Sequence, residues 1–346
     1  MNHSILLPSE WHPQSAIQLT WPHFDTDWGY MLEEVTACFV NIATEILKRQ
    51  KLIVVCNSAD AVKFELKESE KYFENLQLIE LPTNDTWARD HSVISVIKNG
   101  RKCIYDFTFN GWGLKFASNY DNQINRGLYS NSIFNSDVEY ENRKDFVLEG
   151  GGIESDGKGT LLTTSECLLS PNRNSYLSKD GVEDYLKEIF GLDRVLWLDH
   201  GYLAGDDTDS HIDTLARFCD EHTITYVKCE DKEDEHYEAL AKMEAQLKTF
   251  VDYKGNPYDL IPLPMAKAVY DEDNERLPAT YANFLIMNDA VLLPIYNNKE
   301  KDEEAVRQLA KAFPTREIVV IDCSSLIKQH GSLHCVTMQY PENFIR

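Results

Sequence analysis

The sequence predicts an α/β protein made of five pseudo-symmetric modules, each of about 50–70 residues. Helix-period apolar patterning alternates with short apolar runs, and the order helix, strand, hairpin recurs along the chain. Polar residues able to do chemistry sit at matching places. Asp90, Glu149, His211, Asn283 and Cys335 each fall at or near the start of a predicted hairpin strand. Modules set around an axis would bring such positions into one central pocket.

The elements follow in order. Val35, Phe39, Ile42 and Ile46 share one face of a helix predicted over 28–50, followed by a buried strand over 52–56. A second helix over 59–74 and a strand over 76–81 come next. Strands over 93–97 and 102–107 flank Asn99-Gly100, a pair suited to a type I′ turn because both positions need positive φ. A hairpin over 147–164 turns at Asp156-Gly157. A helix over 180–190 ends at Gly191, a left-handed cap, and a strand over 194–198 follows it.

Strands over 212–218 and 223–228 turn at Asp220-Glu221. A solvated helix over 232–249 buries one face through Tyr237, Leu240, Met243 and Leu247. A strand over 260–263 precedes a hairpin over 281–294, turned at Asn288-Asp289. A helix over 302–313 and strands over 317–321 and 333–339 close the chain.

Composition narrows the function. The chain has 346 residues, 43% of them hydrophobic, and a formal net charge of −23. Such acidity argues against nucleic acid, whose binding relies on cationic side chains at phosphates, and suits a cationic ligand. The longest apolar runs fall far short of the roughly 20 residues a membrane span needs. The eight cysteines show no CxxC pair or pairing rhythm, and residues 1–8 lack the features of a secretory signal. A cytoplasmic protein with reduced thiols is expected.

Four segments carry candidate chemistry. In Asp209-Ser210-His211-Ile212-Asp213, an extended backbone would project both carboxylates and the imidazole to one face. That set could bind a hard divalent metal such as manganese, or clamp a planar guanidinium beside an acid/base. In Trp87-Ala88-Arg89-Asp90, an indole face and a carboxylate could receive a cation. In Glu149-Gly150-Gly151-Gly152, the glycines imply a close approach to the backbone. Cys335 follows Gly331-Ser332-Leu333-His334. His334 would point away from Cys335 in a strand, so the base for a cysteine nucleophile must come from elsewhere, and His211 is the candidate.

Together these segments resemble the agmatine deiminase and bacterial peptidyl-arginine deiminase family of the guanidine-modifying pentein superfamily. The resemblance runs through Trp21-Pro22, Asn84-Asp85-x-Trp87-x-Arg89-Asp90, Phe109-Asn110-Gly111-Trp112-Gly113, Glu149-Gly150-Gly151, Asp209-x-His211-x-Asp213, Asn283-Phe284 and Gly331-x-x-His334-Cys335. It implies a five-module α/β propeller and a single catalytic domain over 1–346. It also implies no cofactor, no metal and a possible homodimer.

The implied catalytic residues are Cys335, His211, Glu149, Asp213 and Asp90. Asp90 and Asp213 would hold the guanidinium, with Trp87, Trp112 and Asn283 completing the substrate site. Cys335 would attack, His211 would move protons and Glu149 would orient His211. The implied reaction converts agmatine and water to N-carbamoylputrescine and ammonia. Free or peptidyl arginine is the alternative substrate, and a manganese ureohydrolase on Asp209, His211 and Asp213 the alternative enzyme. Two departures from the family pattern lie beside the pocket: Ser210 where glycine is usual, and Gln329-His330-Gly331-Ser332-Leu333 where Gly-Gly-Gly-Asn-Ile is usual.

Overall fold

A computed structural model describes residues 4–346. Five of its six sheets share one plan, an antiparallel pair extended by a parallel strand. Ile94–Lys98 pairs antiparallel with Arg101–Thr108, which pairs parallel with Glu139–Val147. Ile153–Ser155, Thr160–Thr164 and Arg194–Leu198 repeat that arrangement. So do Ala216–Phe218, Thr223–Lys228 and Asp259–Pro264. Leu285–Ile286, Ala290–Ile295 and Glu317–Asp322 form the fourth unit.

The fifth unit joins the two ends of the sequence. Thr337–Pro341 pairs antiparallel with Gln14–Thr20, and Lys51–Cys56 and Leu76–Glu80 add in parallel. The closure therefore rests on pairs more than 300 positions apart, such as Thr337 with Leu19.

Helices pack against these sheets. Leu32–Leu47 buries Val35, Phe39, Ile42 and Ile46, the predicted stripe. Lys179–Phe190 starts at a Ser178 hydroxyl that accepts the Gly181 N–H and stops at Gly191, whose φ of 66° is left-handed. Lys299–Ala312 starts at Asn298, whose side chain accepts from the Lys301 N–H. Each cap satisfies a backbone group that the helix end would otherwise orphan. Among the described residues, no helix is long and apolar enough to cross a membrane.

Several elements differ from the sequence prediction. The 28–50 helix divides into a 3-10 turn, Gly29–Met31, and the α-helix Leu32–Leu47. The 59–74 helix becomes Ala59–Glu65 followed by the 3-10 segment Lys67–Asn75. The 232–249 helix is shorter, Tyr237–Leu247, and the 302–313 helix begins earlier, at Lys299. Asn99 and Gly100 do have the positive φ of a type I′ turn, 51° and 75°.

The largest correction concerns where strands begin. Residues 212–215 and 333–336 are not strand; a 3-10 turn, Ile212–Thr214, and a turn before Thr337 replace them. Similar short turns precede the inner strand of the other units, at Ala88–His91, Gly150–Gly152 and 281–282. Each turn delivers one or more polar side chains toward the same place.

Candidate active site

Cys335 lies in the turn before Thr337–Pro341 and is 4% exposed. Its Sγ is 3.4 Å from Asn283 Oδ1 and 4.0 Å from Asp213 Oδ2. Asn283 Oδ1 also accepts from the backbone N–H of His334, at 2.9 Å, and of Cys335, at 3.3 Å. Asn283 thus fastens the turn that carries the sulfur.

Asp90, Asp213 and His211 meet at Gly151. A Cβ there would lie 2.6 Å from His211 Nδ1, 2.8 Å from Asp90 Oδ1 and 3.1 Å from Asp213 Oδ2. Only glycine admits this approach, which explains the central residue of the glycine run. Its backbone N–H donates to Asp90 Oδ1 at 3.0 Å, and the Trp112 indole N–H donates to Asp90 Oδ2 at 2.9 Å. His211 Nδ1 is 3.6 Å from Asp90 Oδ1.

Several buried polar atoms have no hydrogen-bond partner among the described residues. They include Asp213 Oδ1 and both ring nitrogens of His211, which have the Cys167 thiol and the Asp90 carboxylate close by. Buried polar atoms are usually paired, so these mark a place where a ligand supplies the missing partners.

Electrostatics reinforce that reading. Burial pushes the Cys335 thiol well up, and the Asp213 and Asp90 carboxylates push the same way. Burial opposes charge on His211, but Asp90, Cys167 and Glu149 together lift it well above the ordinary imidazole range. Burial also raises Asp90. It acts on Asp213 too, yet hydrogen bonding and charge from His334 carry that carboxyl below its usual value.

The structure revises the Asp209–Asp213 segment. Asp209 and Ser210 have φ of 63° and 62°, so the chain is not extended there. Asp209 turns outward to Lys115 and Arg173, with contacts of 2.7 and 2.6 Å, while His211 and Asp213 turn inward. The predicted single face of Asp209, His211 and Asp213 does not form. The positive φ at Ser210 fits a position where glycine is usual.

Glu149 is fully buried, and both its oxygens are 3.0 Å from Arg173 Nε. Arg173 also donates to Asp209 and to the Thr208 carbonyl. Donor atoms of Glu149, Cys167 and His211 lie within 4.8 Å of one another, as do those of Glu10, Glu154 and His334. In the first set Arg173 already pairs with the carboxylate. In the second, Arg217 occupies the centre and bonds Glu10 and Glu154.

A mouth leads from Cys335 to the surface. Asp27, Asp85, Asp207, Trp87 and Phe116 line it with Asp90 and Trp112, and its lining holds no lysine or arginine. Trp87 packs 5.7 Å from Trp28 and 6.1 Å from Trp112, between ring centroids. Its indole N–H donates to Asp85. A Cβ at Gly331 would lie 2.1 Å from the Trp87 ring, so this glycine lets the loop lie on the indole.

All the predicted site residues therefore gather in one region, although Asn283 bonds the turn that carries Cys335 and Glu149 bonds Arg173. Sequence reasoning missed Arg173, Cys167, Glu10 and Arg217, whose roles arise only when separate modules meet. His334 stood beside Cys335 in the sequence, but its orientation gave it no role there.

The model of the Porphyromonas-type peptidyl-arginine deiminase family matches residues 6–341. The chain belongs to that family. A Porphyromonas gingivalis structure provisionally assigned as an arginine deiminase is 56% identical, with a TM-score of 0.95, over 99% of this chain and 100% of that one. A cysteine-to-serine variant of C. jejuni agmatine deiminase, solved with substrate bound, is 40% identical with a TM-score of 0.89, over 99% and 97%. The agmatine deiminase of Medicago truncatula is 31% identical over 98% of this chain and 97% of its own length. These likenesses extend over the whole pentein-type α/β fold.

Proposed function

We propose that this chain is a single catalytic domain that deiminates guanidines through Cys335, with agmatine as its substrate. The observation that carries the proposal is the placement of Cys335 beside Asp213 and Asn283, with the unpartnered His211 and Asp213 Oδ1 in the same buried cluster. A guanidinium supplies the N–H donors that Asp90 and Asp213 can accept. Kinship with agmatine deiminases from C. jejuni and Medicago truncatula supports the reaction class.

The resting thiol is protonated, because burial and two carboxylates disfavour a third negative charge. A bound guanidinium offsets those carboxylates and releases the thiol proton to solvent. The thiolate forms an S–C bond to the central guanidine carbon, giving a neutral tetrahedral adduct. His211, held as imidazolium, protonates one nitrogen, and the C–N bond breaks to release ammonia. A thiouronium cation remains on the sulfur.

Neutral His211 then takes a proton from water as its oxygen bonds to the same carbon. The C–S bond breaks, the hydroxyl proton returns to sulfur, and the ureido product leaves. Asp90 and Asp213 hold the cation through both halves. Glu149, fixed by Arg173, adds negative potential at His211.

The acidic mouth favours agmatine over free arginine. Asp27, Asp85 and Asp207 attract a terminal ammonium and repel an α-carboxylate, and the neighbouring Lys115 is already engaged by Asp209 and the Asp207 carbonyl. A manganese hydrolase is disfavoured because Asp209 is committed to Lys115 and Arg173. Ammonia release measured over agmatine, arginine and a peptidyl-arginine tests the proposal. Agmatine is expected to be the best substrate; no ammonia from any of them would refute the deiminase reading.

A further inference from the structure

His334 lies next to the nucleophile, yet it makes no hydrogen bond to the Cys335 side chain. It is 1% exposed. Its Nδ1 is 2.7 Å from Asp213 Oδ2, and its Nε2 is 2.7 Å from Glu10 Oε2. Arg217 approaches Nε2 at 3.0 Å and donates to Glu10 at 2.6 Å. A continuous chain therefore runs from Arg217 and Glu10 through the imidazole to one oxygen of Asp213. The other oxygen, Oδ1, has no partner and is fully buried.

This division of the carboxylate has a chemical purpose. A free aspartate side chain can rotate and present either oxygen. A strong bond to Oδ2 fixes the rotamer and leaves Oδ1 as the acceptor for a planar N–H donor. We propose that His334 is a positioning residue: by donating from Nδ1 to Oδ2, it holds the Asp213 carboxylate, with its unpartnered Oδ1, in the rotamer that receives the substrate guanidinium. The inference rests on the deiminase reading above.

The surroundings make His334 the group on which Asp213 depends. Asp213 is also faced by Asp90, His211, Arg217, Arg89 and Cys335. Burial favours protonating it. Hydrogen bonding from His334 is the largest effect that opposes burial. Without that bond, Asp213 should take up a proton at higher pH and lose its grip on a cation.

Two isosteric substitutions separate the two ends of the imidazole. In His334→Asn the side-chain amide N–H stands near the position of Nδ1, whereas in His334→Gln it reaches toward that of Nε2. Turnover of agmatine by the wild type tests the deiminase reading. Agmatine binding, measured by calorimetry across pH 5–8 with each substitution placed on Cys335→Ser, tests His334 alone, with about tenfold weaker binding expected for Gln.

His334→Asn should keep the acid limb of binding near that of Cys335→Ser. His334→Gln should move this limb to higher pH, because Asp213 then needs a higher pH to stay ionised. In the otherwise unaltered enzyme the Gln variant should raise KM by about tenfold and change kcat by less than about threefold. Thermal melting separates a folding defect from a binding defect. Identical binding limbs for the Asn and Gln variants, or rescue by Gln and not by Asn, would overturn the proposal.

Discussion

Two polar clusters lie close together in the interior, and they differ in one respect. The rear cluster of Glu10, Glu154, Arg217 and His334 satisfies itself. Arg217 donates to both glutamates and to the carbonyls of Ala282 and Phe284, and stands 4.6 Å over the Phe284 ring. The front cluster of Asp90, His211, Asp213 and Cys335 does not, because His211 and Asp213 retain orphaned atoms. Similar residue types serve structure in one place and chemistry in the other. The unmet hydrogen bonds tell them apart.

The comparison can be broken from either side. Cys335→Ser should lower agmatine turnover by about 10⁴-fold or more, since removing a nucleophile leaves only binding and electrostatics. Its melting temperature should stay near that of the wild type, because a serine hydroxyl can keep the bond that the Cys335 thiol donates to Asn283. A steady-state ammonia assay with a thermal melt checks both parts.

Gly151→Ala comes next. Its Cβ would displace His211, Asp90 or Asp213, each of which has an atom within 3.1 Å of where that carbon would stand. Misplacement of reacting groups by about 1 Å is worth roughly 10²-fold, so kcat/KM should fall by about that factor.

Arg217→Met attacks the rear cluster and should act on stability first. It leaves Glu10 and Glu154 buried without their cation, and breaking such a pair costs about 3–5 kcal/mol. Denaturant unfolding should register this loss. A variant of unchanged stability would show that the rear cluster does not serve structure.

The smallest effect is expected at the mouth. Burial, with Asp27 and Asp121, pushes Asp85 up to about 7, while its bonds from Trp87 and Thr86 oppose them. Asp85 therefore gains charge as pH rises through neutrality, and agmatine should bind more tightly there. Asp85→Asn should flatten that rise, shifting KM by about two- to fivefold at pH 8. KM measured between pH 6 and 8 for both proteins checks it.

Much of this arrangement was legible in the sequence because local chemistry fixes it. Asn99-Gly100 and Gly191 need φ values that few other residues adopt, and both occur where the turn and cap were expected. The strand Glu139–Val147 was missed because it is polar and mostly half-exposed, without a clear two-residue alternation. The Asp209–Asp213 segment misled for a different reason. Side-chain alternation presumes extended backbone, and two successive positive φ values remove that premise. His334 was legible as a residue beside Cys335, but its use depends on Glu10, more than 300 positions earlier.

The central claim is that Cys335 becomes covalently bonded to the guanidine carbon. Rapid quenching of the wild-type enzyme during agmatine turnover, followed by peptide mass spectrometry, tests it most directly. A thiouronium adduct is expected on the peptide containing Cys335 and none on the peptide containing Cys167. Turnover with no Cys335 adduct under conditions that trap thiouronium, together with full activity in Cys335→Ser, would contradict it.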